Sequence, residues 1–203
     1  MMSLHAVPSP SCAPAAPTDD DLMLLVAAND RRAFRLLVER HELRVRRYVA
    51  RMVGPAEADD IAQEVFLRLF DQRGRYVGTG RFLPFLFRVA RNRALNHTRW
   101  RRLRVMWNSD EHKERAERDS AVDAQPTAEH LAFLVDQERN HIVQGWVLKM
   151  KPSLREVFVL RFVEELDYEA IAAIVGISED NARARAHRAL SWLRDKAKNL
   201  EGS

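Results

Sequence analysis

Two amides one helical turn apart, Asn92 and Asn96, sit among arginines at Arg88, Arg91, Arg93 and Arg99. At i and i+4 the two amides share one helix face. An amide both donates and accepts, so this pair can read the edges of exposed bases while arginines hold the backbone. A second constellation lies in residues 168–187, YEAIAAIVGISEDNARARAH. Ala172 is small where two helices would cross, Gly176 supplies a left-handed turn four positions later, and Ile171, Val175 and Ile177 offer a local core. Ser178 is a natural N-cap for the second helix, as Asp167 is for the first. This spacing predicts a helix-turn-helix. Its second helix presents Glu179, Asp180, Asn181, Arg183 and Arg185, followed by His187 and Arg188. Asparagine bonds adenine bidentately and arginine bonds guanine in the major groove, whereas arginines that reach phosphates position the protein without specifying a sequence.

A third pattern is DDIAQEVFLRLF, residues 59–70. Asp60, Gln63 and Glu64 fall at i, i+3 and i+4, on one face; Val65 turns toward the core and Phe66 points elsewhere. A polar stripe of this kind suits docking against another helix, although by itself it also describes an ordinary solvated face.

Helices must position all three patterns. Thr18 with Asp19 to Asp21 marks one start, Asn29 and Asp30 a second, and Gly54 with Pro55 the stop between the second and third helices. The third is expected over about 56–70. A fourth runs from about Phe82 to Arg102, with Pro84 tolerated in its first turn, and a loop marked by Gly74, Gly78 and Gly80 lies between them. Later, Leu131, Leu134, Val135, Ile142, Trp146 and Met150 form an apolar stripe, and Pro152 with Ser153 opens the helix LREVFVLRFV. Strand and hairpin signals are weak, which predicts an all-α fold.

Charge divides the chain more sharply than hydropathy does. Gln72 to Ser109 holds ten arginines and no acid, whereas Asp110 to Glu129 holds seven acids and Pro126, so a polyanion partner and an interdomain linker are expected in turn. The total of +4 over 203 residues hides this asymmetry. The expected division is a disordered tail over 1–18, a helical domain over 19–107, a flexible linker over 108–128 and a second domain over 129–203. A single cysteine, Cys12, excludes an internal disulfide and a cysteine-based zinc site. No apolar run approaches the ~20 residues needed to span a bilayer and no signal peptide is visible, so a cytoplasmic protein is expected. His41-Glu42 lacks a second histidine at metalloprotease spacing, and neither a G-x-S-x-G nor a phosphate-cradling glycine loop occurs, so no enzyme, metal or cofactor is expected.

Over residues 19–198 the chain resembles the extracytoplasmic-function sigma factors of the sigma-70 family. SLREVFVLRFVEELDYEAIAAIVGISEDNARARAHRALSWLR is similar to their fourth region, DDIAQEVFLRLF to the docking part of their second, and RFLPFLFRVARNRALNHTRWRRLR to its melting part. The resemblance implies promoter DNA and core RNA polymerase, through its β′ clamp and β subunits, as partners. Asp59, Asp60, Gln63, Glu64 and Phe66 would meet the polymerase. Tyr76, Arg88, Arg91, Asn92, Asn96 and Arg99 would meet the minus-ten element, with Tyr76 as the stacking candidate in the glycine loop. Ser178, Glu179, Asn181, Arg183, Arg185, His187 and Arg188 would meet the minus-thirty-five element. An anti-sigma factor, often membrane-anchored in this family, is expected to control a chain with no evident sensor of its own. Asp180 and Asn181 replace a common Gly-Thr, Ala186 replaces a larger aliphatic, and Glu165 stands where glycine is common, so a promoter sequence does not carry over. The alternative is a stand-alone helix-turn-helix regulator, which would bind its operator without polymerase.

Overall fold

Side-chain caps and apolar stripes set the helix boundaries. The computed structural model describes residues 16–107 and 143–201. The first stretch forms α1 (Asp19–Ala27), α2 (Arg31–Val53), α3 (Ala58–Asp71), a 3-10 turn (Arg73–Arg75) and α4 (Phe82–Trp107). The second forms α5 (143–149), α6 (Pro152–Phe158), a π-helical turn (Val159–Val163), α7 (Tyr168–Val175) and α8 (Glu179–Glu201). Every regular element among the described residues is helical. The expected tail, the linker and the residues Leu131, Leu134, Val135 and Ile142 lie outside the described residues, apart from the last residues of the tail.

Thr18 and Asp21 close a reciprocal capping box on α1, and Asp30 accepts from the backbone N–H groups of Arg32 and Ala33 at 2.7 and 3.2 Å to start α2. Gly54 ends α2 at φ +110°. Helix α4 continues five residues past the expected Arg102, because LRVMW contains no breaker.

The N-terminal core is built where α2 lays Leu37, Val45, Tyr48 and Val49 against Ile61, Val65 and Leu69 of α3 and Leu86, Phe87 and Ala90 of α4. Tyr48 meets Phe87 at 5.1 Å between ring centroids, edge-on. Each such aliphatic or aromatic side chain contributes about 1.5–3 kcal/mol of burial.

The two helical units expected from the sequence are present, and their described residues pack together, α7 against α4 and α6 against α2. Charge explains it. Glu156 and Glu164 on the C-terminal unit are 5% and 3% exposed. Their partners are arginines of the N-terminal unit: Arg91 pairs with Glu156, and Arg44 donates to the Glu164 carboxylate and to its backbone carbonyl, both at 2.7 Å. Arg155 reaches back to the Met52 carbonyl at 2.7 Å, and Arg81 bridges to Glu169 at 2.6 Å. These partners are 65 to 120 residues apart for the first two pairs, beyond any local pattern.

The buried pairs predict how the seam fails. Arg44→Met strands the Glu164 carboxylate and should weaken docking by roughly 3 kcal/mol, the low end for a buried pair because Arg44 keeps some solvent contact. Hydrogen exchange in residues 159–175 should rise in that variant and return in Arg44→Met with Glu164→Gln. Unchanged protection in the single variant would show that the pair does not hold the units together.

His41 gives a pH signature. Its Nε2–H donates to Asp19 at 2.8 Å, yet burial holds the ring below its ordinary 6.5 against the opposing pull of Asp19. Below 6.5 the unfolded chain takes up a proton that the folded chain resists. The contribution of the neutral ring is therefore complete above 6.5 and is lost as pH falls through the depressed value. His41→Gln should flatten the fall in thermal stability between pH 7 and pH 5 relative to the parent; identical profiles would contradict a titrating His41.

Candidate nucleic-acid interface

Helix α4 sorts its residues into two faces. Phe82, Leu86, Phe87, Ala90 and Ala94 are buried, while Arg88, Asn92, Asn96 and Arg99 are exposed. The 3.6-residue period produces this division directly. Four of the six expected minus-ten residues thus stand in one solvent-facing row. Arg91 does not join them, being half-buried and paired with Glu156. Arg93, read from sequence as part of the same basic cluster, instead pairs with Glu64 of α3. Trp100 extends the row at the next four-residue step and is 69% exposed. Its four-residue step from Asn96 is the sequence signal that places it outward.

Tyr76 is placed differently from the expectation of a free stacking ring. It is 8% exposed, its ring packs 5.1 Å from that of Phe85, and its hydroxyl donates to Asp20. Burial, reinforced by Asp20, raises the phenol far above its ordinary range, so it remains a donor. Val77, Gly78, Thr79 and Gly80, which follow Tyr76 in the loop, are exposed.

The helix-turn-helix is assembled by local chemistry. Asp167 accepts from the Ala170 N–H at 2.6 Å, and Ser178 Oγ accepts from the Asn181 N–H at 3.3 Å. Gly176 takes φ +76°, the left-handed region in which glycine carries no Cβ penalty, and its N–H closes on the Ala172 carbonyl at 2.8 Å. Ala182, Ala186 and Ala189 turn inward on α8, with Ile171 and Ile174 buried on α7. The small residue at 186 is therefore a packing residue. With the alanines inward, Asn181, Arg183, His187 and Arg188 are exposed, and Glu179 and Arg185 are partly so.

These polar side chains hold one another. Arg183 reaches Glu179 at 3.0 Å and Asp180 at 3.2 Å, and Arg185 donates to Asn181 Oδ1 at 3.0 Å. Exposed pairs of this type contribute about 0–1 kcal/mol, less than the roughly 1–3 kcal/mol of a good base contact, so DNA can outcompete them.

On α3, Asp59, Asp60 and Gln63 are exposed. Phe66 is 5% exposed and belongs to the core, and Glu64 is held by Arg93, so the open part of the stripe is narrower than expected. Leu67, 65% exposed, borders a shallow groove lined also by Phe34 and Val38. It follows Gln63 by four residues, an apolar side chain on a polar face, and that spacing is its signal in the sequence. Among the described residues no helix is long and apolar enough to cross a membrane.

Residues 37–104 match the family described as Sigma-70 region 2, and residues 143–193 match Sigma-70, region 4. The chain is 35% identical over 170 residues to RNA polymerase sigma factor CarQ of Myxococcus xanthus, covering 83% of this chain and 91% of that one. It is 29% identical over 183 residues to the ECF RNA polymerase sigma-E factor of Escherichia coli, covering 90% and 96%. Its fold is similar to that of CnrH, solved in complex with the cytosolic domain of CnrY, with a TM-score of 0.66 at 21% identity over 89% of this chain and 97% of that one. Two family regions in the same order, with a relative matched almost end to end, show that the chain belongs to the sigma-70 family as an extracytoplasmic-function sigma factor, a transcription-initiation factor that works with core RNA polymerase on promoter DNA.

Proposed function

We propose that the exposed row Arg88, Asn92, Asn96 and Arg99 reads the non-template strand of the minus-ten element, and that α8 reads the minus-thirty-five element through Asn181 and Arg183. Ser178, Glu179, Arg185, His187 and Arg188 flank those readers and orient α8 on the duplex. Asp59, Asp60 and Gln63 meet the clamp coiled coil of the β′ subunit, with Glu64 supporting them through Arg93. The observation that carries this reading is the sorting of α4, which presents two amides and two guanidinium groups to solvent in one row while its apolar side is buried. The chain itself carries no catalytic machinery in this reading; the chemistry belongs to polymerase, and the site of action is the cytoplasm.

The docked arrangement is not the promoter-bound one. Elements centred near minus-ten and minus-thirty-five lie roughly 25 base pairs apart, or about 85 Å at 3.4 Å per pair. Units that touch cannot occupy both. The 35 residues between Trp107 and Val143 reach at most about 120 Å when extended, enough to allow separation. Arg91 joins the promoter-reading set only once Glu156 has left it. An anti-sigma factor is the proposed regulator: the sigma factor RpoE of Bartonella quintana, whose fold is similar with a TM-score of 0.64, was solved in complex with the anti-sigma factor NepR, which supports such control here.

Asn92→Ala with Asn96→Ala should reduce open-complex formation about tenfold or more on a duplex promoter while initial binding is kept; permanganate footprinting measures it, and normal melting would remove the assignment. Asn181→Ala should relax selectivity at one minus-thirty-five position by roughly 1–3 kcal/mol. A uniform loss over all base substitutions would make Asn181 a phosphate contact instead. Asp60→Ala with Gln63→Ala should weaken core binding in a pull-down without changing the melting temperature, and undiminished holoenzyme formation would sink the docking role.

A further inference from the structure

The three acids in the first turn of α1 have separate partners. Asp21 closes the capping box with Thr18, and Asp19 takes Arg40 at 2.9 Å and His41 at 2.8 Å. Asp20 is the one that hydrogen-bonds to the loop before α4. Its Oδ1 accepts from the Tyr76 hydroxyl and from the Gly80 backbone N–H, the latter at 2.9 Å. One carboxylate thus holds both feet of a short arch, residues 77–79, that is exposed between them. Each foot is fixed in a second way. Tyr76 is packed between Phe82 and Phe85, and Gly80 takes φ +72°. Beneath the arch, a Cβ on Gly78 would stand 2.9 Å from Leu24 Cδ1, so α1 supports the loop by contact as well as by hydrogen bonds.

We propose that Asp20 is a positioning residue for the promoter-reading loop, holding the arch 77–79 ready to receive an unstacked base of the non-template strand. This rests on the reading of the α4 face and its loop as the minus-ten site. A free arch of three residues loses its conformational freedom when a base is captured, and a tied one has already lost it on folding. Tyr76 accordingly acts through its hydroxyl, as a foot of the arch, with its ring in the core.

The test uses the full chain with core polymerase, in transcription from a duplex promoter library varied across the minus-ten element. Asp20→Ala should slow open-complex formation roughly tenfold and flatten base preference at the captured position, as expected for lost preorganisation. Asp20→Asn keeps an acceptor oxygen and should restore both, and Tyr76→Phe should fall between. Asp21→Ala weakens the same helix through its cap but should leave base preference unchanged, which separates positioning from general loss of α1. Val77→Ala with Thr79→Ala alters the arch itself. If that change shifts base preference and Asp20→Ala does not, the latch is refuted while the loop reading stands. If neither shifts it, the loop reading fails and the latch fails with it. Equal loss in Asp21→Ala and Asp20→Ala, without rescue by Asp20→Asn, would reduce Asp20 to a structural residue.

Discussion

Two carboxylates that the C-terminal unit buries and cannot neutralise by itself determine the shape of this molecule. Glu156 and Glu164 lose nearly all solvent contact, and a buried carboxylate without a partner costs several kcal/mol. Arginines on the other unit supply the partners. Burial still raises Glu164 above the usual carboxylate range, because Arg44, Arg51 and Arg47 offset the loss of solvent only in part. The seam therefore gives the docked state a definite register, while its net stabilisation is modest. That balance suits the proposed separation of the two units on a promoter.

Arginine does several kinds of work along one helix. On α4, Arg91 serves the seam, Arg93 fixes α3 through Glu64, and Arg88 and Arg99 remain in solvent. Arg155, half-buried, is purely structural: its guanidinium donates to the backbone carbonyls of Met52 and Met150 at 2.7 and 3.1 Å, tying α6 to the end of α2. A basic stretch is thus not equivalent to a basic surface. Only the residues left over from packing and pairing are available to a polyanion.

Backbone geometry at the entry to the helix-turn-helix shows a similar economy. Helix α6 widens into the π-helical turn Val159–Val163, with the Glu164 N–H bonded to the Val159 carbonyl at 3.0 Å, and Glu164 then meets Arg44. Glu165 follows at φ +57°, a left-handed conformation disfavoured for a residue with a Cβ. A glycine would carry no such penalty at this position, and the chain tolerates glutamate there at a small cost in strain. Widened helical turns are often found where a helix must redirect a functional segment.

The sequence by itself determined the helices, their caps and the helix-turn-helix, because each depends on residues within four or five positions: Thr18 with Asp21, Asp167 with Ala170, Gly176 with Ala172. It also placed Asn92 and Asn96 on one face, since the helical period requires it. Tertiary structure alone decided which of the arginines beside them are free and that Phe66 and Tyr76 turn into the core. It alone joined Asp20 to Gly80 and Glu164 to Arg44, across 60 and 120 residues. Local patterns carry the period and the caps, but a charge finds its partner only after the chain has folded and burial has left it no water to choose instead.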